Sequence, residues 1–138
     1  MKRDRTLTGY RAIAEIRFLI RRFLNNTDKV ATAAGVEPQQ YVALLQLRGL
    51  PPDQQPTIGA LAERMQLRHH SVGELVDRME KQGLLRRERA ADDRRHVLLR
   101  ISPRGERVLD RIVRNRIAEL RTTGKDLVRS LGVVLRKD

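Results

Sequence analysis

Residues 57–105 read TIGALAERMQLRHHSVGELVDRMEKQGLLRRERAADDRRHVLLRISPRG, and the spacing of their apolar residues changes once along the stretch. From Ile58 to Met79 these residues recur at steps of three and four, which predicts two short helices separated by a turn at 66–68. After Gly83 they alternate, which predicts strands at 84–89 and 97–101 joined by a charged tip at 90–96. The order helix, turn, helix, hairpin is that of a winged helix-turn-helix.

Helices are predicted on both sides of this stretch. Residues 9–34 and a second helix from Pro38 to Gly49 precede it, and a helix resumes at Pro103, with a break at Gly124 before a last apolar face at 127–135. The expected fold class is mainly α with a small β-hairpin wing (α+β). We expect one domain over 1–138, in which a winged helix-turn-helix at 57–102 is flanked by dimerisation helices at 9–50 and 103–138.

The composition indicates a polyanionic partner. The 138 residues carry a formal net charge of +12, and nucleic acid is the commonest partner of such a chain. The segments 1–34, 35–56, 57–105 and 106–138 contribute +5, −1, +4 and +4, so charge alone does not locate the binding site. Aromatic residues make up only 3% of the chain, which favours duplex DNA over single strands or RNA, since proteins usually stack unpaired bases on aromatic side chains.

Other function classes find little support. No cysteine is present, which excludes thiolate zinc and redox sites and suits the cytoplasm, where we expect the protein. The apolar runs are too short for a membrane span or signal peptide, and acidic residues interleave with the basic ones, against a membrane-surface helix. No catalytic arrangement has any sequence context, so no enzyme is expected. His69, His70, His96 and Asp92 do not have convincing metal-ligand spacing, and no metal or other cofactor is expected.

The ordered set LAERM, VDRMEKQGLL, DDRR and ISPRG resembles the core of the MarR family of bacterial transcription regulators, and the likeness extends over almost the whole chain. The resemblance implies a homodimer that binds a pseudo-palindromic operator in double-stranded DNA, with the second helix of the motif in the major groove and the hairpin as a wing. Three positions depart from the family pattern: Gln66 replaces a usual glycine, Arg68 stands at a usual Ser/Thr cap, and Gly73-Glu74 replaces a Thr/Ser-Arg pair.

Helical projection of residues 68–82 identifies the side chains that could read bases. With Val72, Leu75, Val76 and Met79 facing inward, the first turns present His69, His70, Ser71, Gly73 and Glu74 outward. Glu74 has two interpretations of equal weight: pairing with Arg78 at i+4, beside a second pair Asp77–Lys81, or accepting a hydrogen bond from a cytosine amino group.

The wing supplies the other predicted DNA contacts. Asp93 and Arg95 project to the same side at period 2, so the carboxylate can orient the guanidinium toward DNA, and the family's wing pattern falls on this pair. The alternative is that Arg94 and Arg95 are only solvated hairpin charges. Thr57, which is also a plausible N-cap, completes the predicted set with Arg68, Arg78 and Arg94.

The expected function is that of a repressor released from DNA by a small molecule, possible ligands being aromatic or phenolic compounds. By resemblance to the family, the ligand would lie near Tyr10, Ile13, Arg17, Tyr41 and Leu44. The alternative is a ligand-independent architectural or partner-binding winged-helix protein.

Overall fold

The computed structural model of the protein describes residues 2–91 and 96–136, with side chains described from residue 7 onward. The described elements are, in chain order, α1 (Lys2–Ala33), α2 (Pro38–Arg48), α3 (Ile58–Met65), α4 (His69–Lys81), β1 (Leu85–Arg89), β2 (Val97–Ile101) and α5 (Pro103–Leu135). The predicted fold class is confirmed. The chain forms two compact units, one of residues 1–30 with 113–138 and the other of residues 31–112.

Local signals set the ends of the short helices in the second unit. Pro38 occupies the first turn of α2, and the Thr57 hydroxyl accepts a hydrogen bond from the Ala60 amide at 3.1 Å, which caps α3 as predicted. Gln66 ends α3 in the left-handed region at φ 56°, and Gly83 follows α4 at φ 72°. The helix-turn-helix therefore keeps its tight turn although Gln66 stands where the glycine was expected.

Apolar residues from α2, α3, α4 and the hairpin form the core of the second unit. In α4 the predicted inward residues Val72, Leu75, Val76 and Met79 are at most 1% exposed. Each such side chain contributes roughly 1.5–3 kcal/mol by leaving water. This burial fixes which face of α4 remains in solvent. Helix α2 packs against α3, α4 and β2, and its role in dimerisation stays a prediction.

The hairpin pairs antiparallel with Arg87 opposite Leu99. The outward amides of this pair are both bonded outside the sheet: that of Leu99 donates to the Pro56 carbonyl at 2.7 Å, and that of Arg87 donates to the Glu80 carboxylate at 3.0 Å. Both predicted strands are thus present, with β1 beginning one residue later than expected. An isolated two-stranded hairpin is marginally stable, and these bonds attach it to the helices.

The ISPRG turn attaches the end of β2 to the end of α4. The Ser102 hydroxyl donates to the Gly83 carbonyl at 2.5 Å and accepts from the Gly105 amide at 3.0 Å. The Arg104 guanidinium donates to the Gln82 carbonyl at 2.7 Å. This turn therefore caps α5 and fixes the wing base against the C-terminal end of α4.

In the first unit, a buried polar cluster joins α1 to α5. Arg116 pairs with Glu119 and donates to the Thr27 hydroxyl at 3.1 Å, while its guanidinium lies 5.2 Å from the Phe23 ring centroid. Glu119 also accepts from the Asn26 amide at 2.7 Å. A buried charge is tolerated because its partners are buried with it.

Two predicted helix boundaries were wrong. The break at Gly124 is absent, since α5 continues through it, and the hydroxyls of Thr122 and Thr123 donate back to carbonyls four residues earlier. One glycine costs a helix interior only about 1 kcal/mol, which is too little by itself to end a helix of 33 residues. The first helix begins at Lys2 instead of Gly9, because nothing in residues 2–8 breaks a helix although the apolar periodicity starts later. Within the part of the chain that the structure describes, no helix is long and apolar enough to cross a membrane.

Candidate nucleic-acid interface

The N-terminal turns of α4 present a polar face to solvent. His69, His70, Ser71 and Glu74 are exposed, and Gly73 is half-buried with no atom within 4 Å of the position a Cβ would occupy. The predicted base-reading residues thus share one surface, which the buried inner face holds in place. A recognition helix reads base edges through residues in these turns.

The predicted ion pairs along α4 were wrong. Glu74 contacts His70, with 3.1 Å between the carboxylate oxygen and Nε2. Arg78 instead reaches Glu37 at the start of α2, at 3.4 Å, and Asp77 pairs with Arg87 on β1 at 2.7 Å. Glu74 thus keeps an i, i+4 contact, but with the preceding turn, whereas Arg78 and Asp77 have tertiary partners. This exchange costs little, because an exposed helical pair is worth only about 0.3–0.5 kcal/mol.

Arg87 was not predicted, and it connects the wing to α4. Its guanidinium bonds Asp77 at 2.7 Å and Glu80 at 3.0 Å. Burial lowers the pKa of Arg87, but the hydrogen bonds and charges of Asp77 and Glu80 outweigh this effect and raise it above the usual value. Arg87 therefore offsets the negative charge of Asp77 and Glu80, which lie beside the face of α4 that is expected to approach DNA phosphates. The sequence carries only a weak signal for this contact. It consists of a cation at an alternating position of β1 and two carboxylates three residues apart on α4.

The remaining predicted contacts have different placements. Thr57 is half-buried and its hydroxyl is used as the cap of α3, whereas Arg68 is exposed at the N-cap of α4 without a side-chain cap bond. Arg78 is exposed and held by Glu37. Asp93, Arg94 and Arg95 lie outside the described residues.

The described wing strands carry exposed charges on one surface. Arg86 and Arg100 are opposite each other in the register, and both contact the Glu88 carboxylate, at 3.4 Å and 3.8 Å. Exposed pairs at these distances contribute at most about 1 kcal/mol, so either guanidinium can exchange its carboxylate for a phosphate.

The residues predicted to hold a small ligand are divided between the two units. Tyr10 and Ile13 are 72% and 58% exposed on α1 of the first unit, where Arg17 is also exposed. Tyr41 and Leu44 are buried in the core of the second unit. The ligand site stays a prediction. Among the described residues, no group of three or more His, Cys, Asp or Glu side chains could hold a metal ion.

Comparison with known proteins agrees with this geometry. The family model described as MarR family matches residues 34–96, from the end of α1 to the start of β2. A solved structure of a MarR family protein from Bacillus stearothermophilus is 30% identical to the chain, covers 80% of it and 78% of its own length, and superposes with a TM-score of 0.66. The chain belongs to the MarR family.

Two further proteins are similar to the chain. The HTH-type transcriptional regulator YsmB of Bacillus subtilis, itself described as uncharacterized, is 35% identical over 86 residues, which are 62% of this chain. The match spans 57% of that relative's length. A Staphylococcus aureus MepR variant whose structure was solved bound to an oligodeoxyribonucleotide is 17% identical, covers 88% of this chain and 81% of its own, and has a TM-score of 0.61. This last likeness concerns the fold.

Proposed function

We propose that the protein is a homodimeric, sequence-specific regulator that binds double-stranded DNA and acts as a repressor released by a small ligand. The observation that carries the proposal is the α4 surface, where a fully buried inner face holds His69, His70 and Ser71 in solvent. Membership of the MarR family and the DNA-bound MepR variant support DNA as the partner.

The distribution of exposed apolar side chains supports a dimer. All the exposed large apolar residues of the described chain lie in the first unit: Leu7, Tyr10, Ile13, Phe18, Ile20 and Leu24 on α1, and Ile117, Leu120, Val128, Leu131, Val134 and Leu135 on α5. Exposed apolar side chains concentrated in one unit mark a protein interface, for which Ile13, Ile20 and Leu24 supply one stripe of α1. A second copy of the chain is the simplest partner.

The first experiment maps a site in the DNA that flanks the coding region. We expect protection of a pseudo-palindrome whose half-sites lie roughly 10 bp apart, or a multiple of it. Leu131→Asp should produce a monomer that no longer protects it, as measured by sedimentation and footprinting. Protection of a single asymmetric half-site by a wild-type monomer would refute the dimer.

Two further variants separate base contacts from phosphate contacts. His70→Ala should reduce operator affinity more than affinity for random duplex, because a base contact is worth on the order of 1–3 kcal/mol of discrimination. Arg95→Ala should weaken binding to the operator and to random duplex equally, and should make the slope of log affinity against log salt concentration shallower by about one unit. Equal losses for His70→Ala on both duplexes would remove it from the base-reading set.

Ligand release is tested by titrating the operator complex with aromatic and phenolic acids. Loss of operator binding that Tyr10→Ala or Arg17→Ala prevents would support the predicted ligand residues. Affinity unchanged by every compound tested would favour the ligand-independent architectural role.

A further inference from the structure

Most of the positive charge lies in the compact unit that does not contain the winged helix. Residues 1–30 with 113–138 hold 15 basic and 6 acidic side chains, a balance of +9, whereas residues 31–112 hold 14 and 11, a balance of +3. Most of the net positive charge of the chain therefore lies outside the unit that would contact an operator.

Four basic residues of α1 differ in their partners from Arg116 and Arg129 of the same unit, which pair with Glu119 and Asp126. Among the described residues of the second unit, arginines that form ion pairs with carboxylates include Arg48, Arg78, Arg86, Arg87 and Arg100. On α1, Arg17, Arg21, Arg22 and Lys29 form no ion pair within residues 7–91 and 96–136, whose side chains the structure describes. Unpaired cations attract external anions more strongly than paired ones do, because no neighbouring carboxylate offsets their charge.

These four cations line one open groove along α1. The groove residues recur at steps of one, three and four: Ala14, Arg17, Phe18, Arg21, Arg22, Asn25, Asn26 and Lys29. None of them is acidic, and the Arg22 guanidinium lies 5.2 Å from the centroid of the Phe18 ring. We name this surface the α1 basic groove.

We propose that the α1 basic groove binds the phosphate backbone of a second DNA duplex while the winged helix holds the operator, an inference that rests on the proposed function. The groove from Arg17 to Lys29 extends about 18 Å at 1.5 Å per residue. One DNA strand carries about five phosphates over that length of axis. Arginine, lysine and amide side chains bind phosphate oxygens without reading sequence. In the groove Asn25 adds an amide to the four cations, whereas the Asn26 amide already donates to Glu119 at 2.7 Å.

The chemistry of the groove favours a duplex over a bilayer or RNA. Its one large apolar side chain, Phe18, carries a guanidinium over its ring, so the groove has no bulky aliphatic group to enter a lipid interface. A single aromatic ring is also a poor platform for unpaired bases.

Dimerisation through the apolar stripe of α1 would leave the groove accessible. At 100° per residue, the exposed residues Ile13, Ile20 and Leu24 project roughly 130° away from the centre of the groove. A second copy of the chain seated on that stripe therefore does not need the surface that contains Arg22 and Lys29.

The test uses the full-length protein saturated with a labelled operator duplex, to which a second labelled duplex of scrambled sequence is added. Energy transfer between the two labels reports simultaneous binding, measured from 50 to 200 mM salt. The variant is Arg21→Gln/Arg22→Gln, and the matched control is Arg107→Gln/Arg111→Gln, which removes two exposed cations of the second unit.

We expect the wild type and the control to bind the second duplex. Loss of two phosphate contacts should make the slope of log affinity against log salt concentration shallower by about 1.8 for the groove variant. Between 50 and 200 mM salt, the affinity of the groove variant for the second duplex should therefore fall by a factor about 12 times smaller than that of the wild type. Operator affinity should be unchanged in both variants.

Several results would overturn the inference. Displacement of the operator without energy transfer, or equal second-duplex binding by the groove variant and the wild type, would refute it while leaving the proposed function intact. Binding to vesicles of anionic phospholipid that depends on Arg21 and Arg22, without a complex of two duplexes, would identify a membrane partner instead. Failure of the wild type to bind any operator would refute the proposed function itself.

Discussion

Replacing Gly105 by alanine tests the packing that fixes the wing base. A Cβ at this position would overlap the carbonyl oxygen of Leu84 and approach Cγ2 of Ile101 to 2.8 Å. The Leu84 carbonyl cannot move freely, because it accepts the Ser102 amide at 3.1 Å. The Gly105 amide is itself bonded to the Ser102 hydroxyl. The added methyl group must therefore displace backbone from two sides.

The expected loss of stability follows from these contacts. Overpacking of this kind costs about 1–3 kcal/mol, and weakening the two hydrogen bonds of Ser102 adds about 1 kcal/mol each. Higher helix propensity returns up to about 1 kcal/mol. The net expectation is a decrease of about 2–4 kcal/mol in the free energy of unfolding.

Urea unfolding followed by circular dichroism, at one fixed protein concentration, measures the effect. Gly124→Ala in the same helix is the matched control, since no atom lies within 4 Å of its Cβ position, and it should raise stability by about 0.5–1 kcal/mol. A Gly105→Ala protein as stable as the wild type would show that the carbonyl of Leu84 yields without cost, and the reasoning would fail.

Three other substitutions test separate contacts. Gly73→Ala should raise the melting temperature by restoring helix propensity, worth about 1 kcal/mol, and should weaken operator binding in a titration, because its methyl group occupies space needed by DNA. Arg87→Gln should lower the free energy of unfolding in urea by about 1–2 kcal/mol, and Arg86→Gln, at a more exposed site, by less than 0.5 kcal/mol. Arg116→Leu should cost about 3–5 kcal/mol by leaving Glu119 buried without its cation, and the double replacement with Glu119→Leu should recover part of that loss in the same assay.

The winged helix was predictable because its signals are local. Hydrophobic periodicity placed α3, α4 and the strands, and Thr57 and Gly83 marked helix ends through capping and a left-handed backbone. The outer face of α4 followed from the same periodicity. These features depend on residues within one or two turns of each other.

The contacts that sequence did not reveal join residues far apart in the chain or compete with local partners. Asp77 was assigned to Lys81, four residues later on α4, and its true partner Arg87 on β1 was missed. Both candidates are cations, so the sequence does not show which of them Asp77 contacts. The continuity of α5 through Gly124 was missed because the glycine was interpreted as a break, although its penalty of about 1 kcal/mol is too small by itself to end a long helix. The Arg116 cluster depends on α1 lying beside α5, which no single helix pattern specifies.

The hydrogen bonds at the outward amides of Arg87 and Leu99 also affect how the protein behaves at high concentration. A two-stranded sheet has two free edges, and exposed edges can recruit strands from other molecules and begin aggregation. Here the carboxylate of Glu80 occupies one edge at its central residue, and the carbonyl of Pro56 occupies the other. Because Arg87 and Leu99 are opposite each other, both edges are blocked at the same level of the hairpin. The hairpin can therefore stand in solvent without offering, at this level, a template for intermolecular β-pairing.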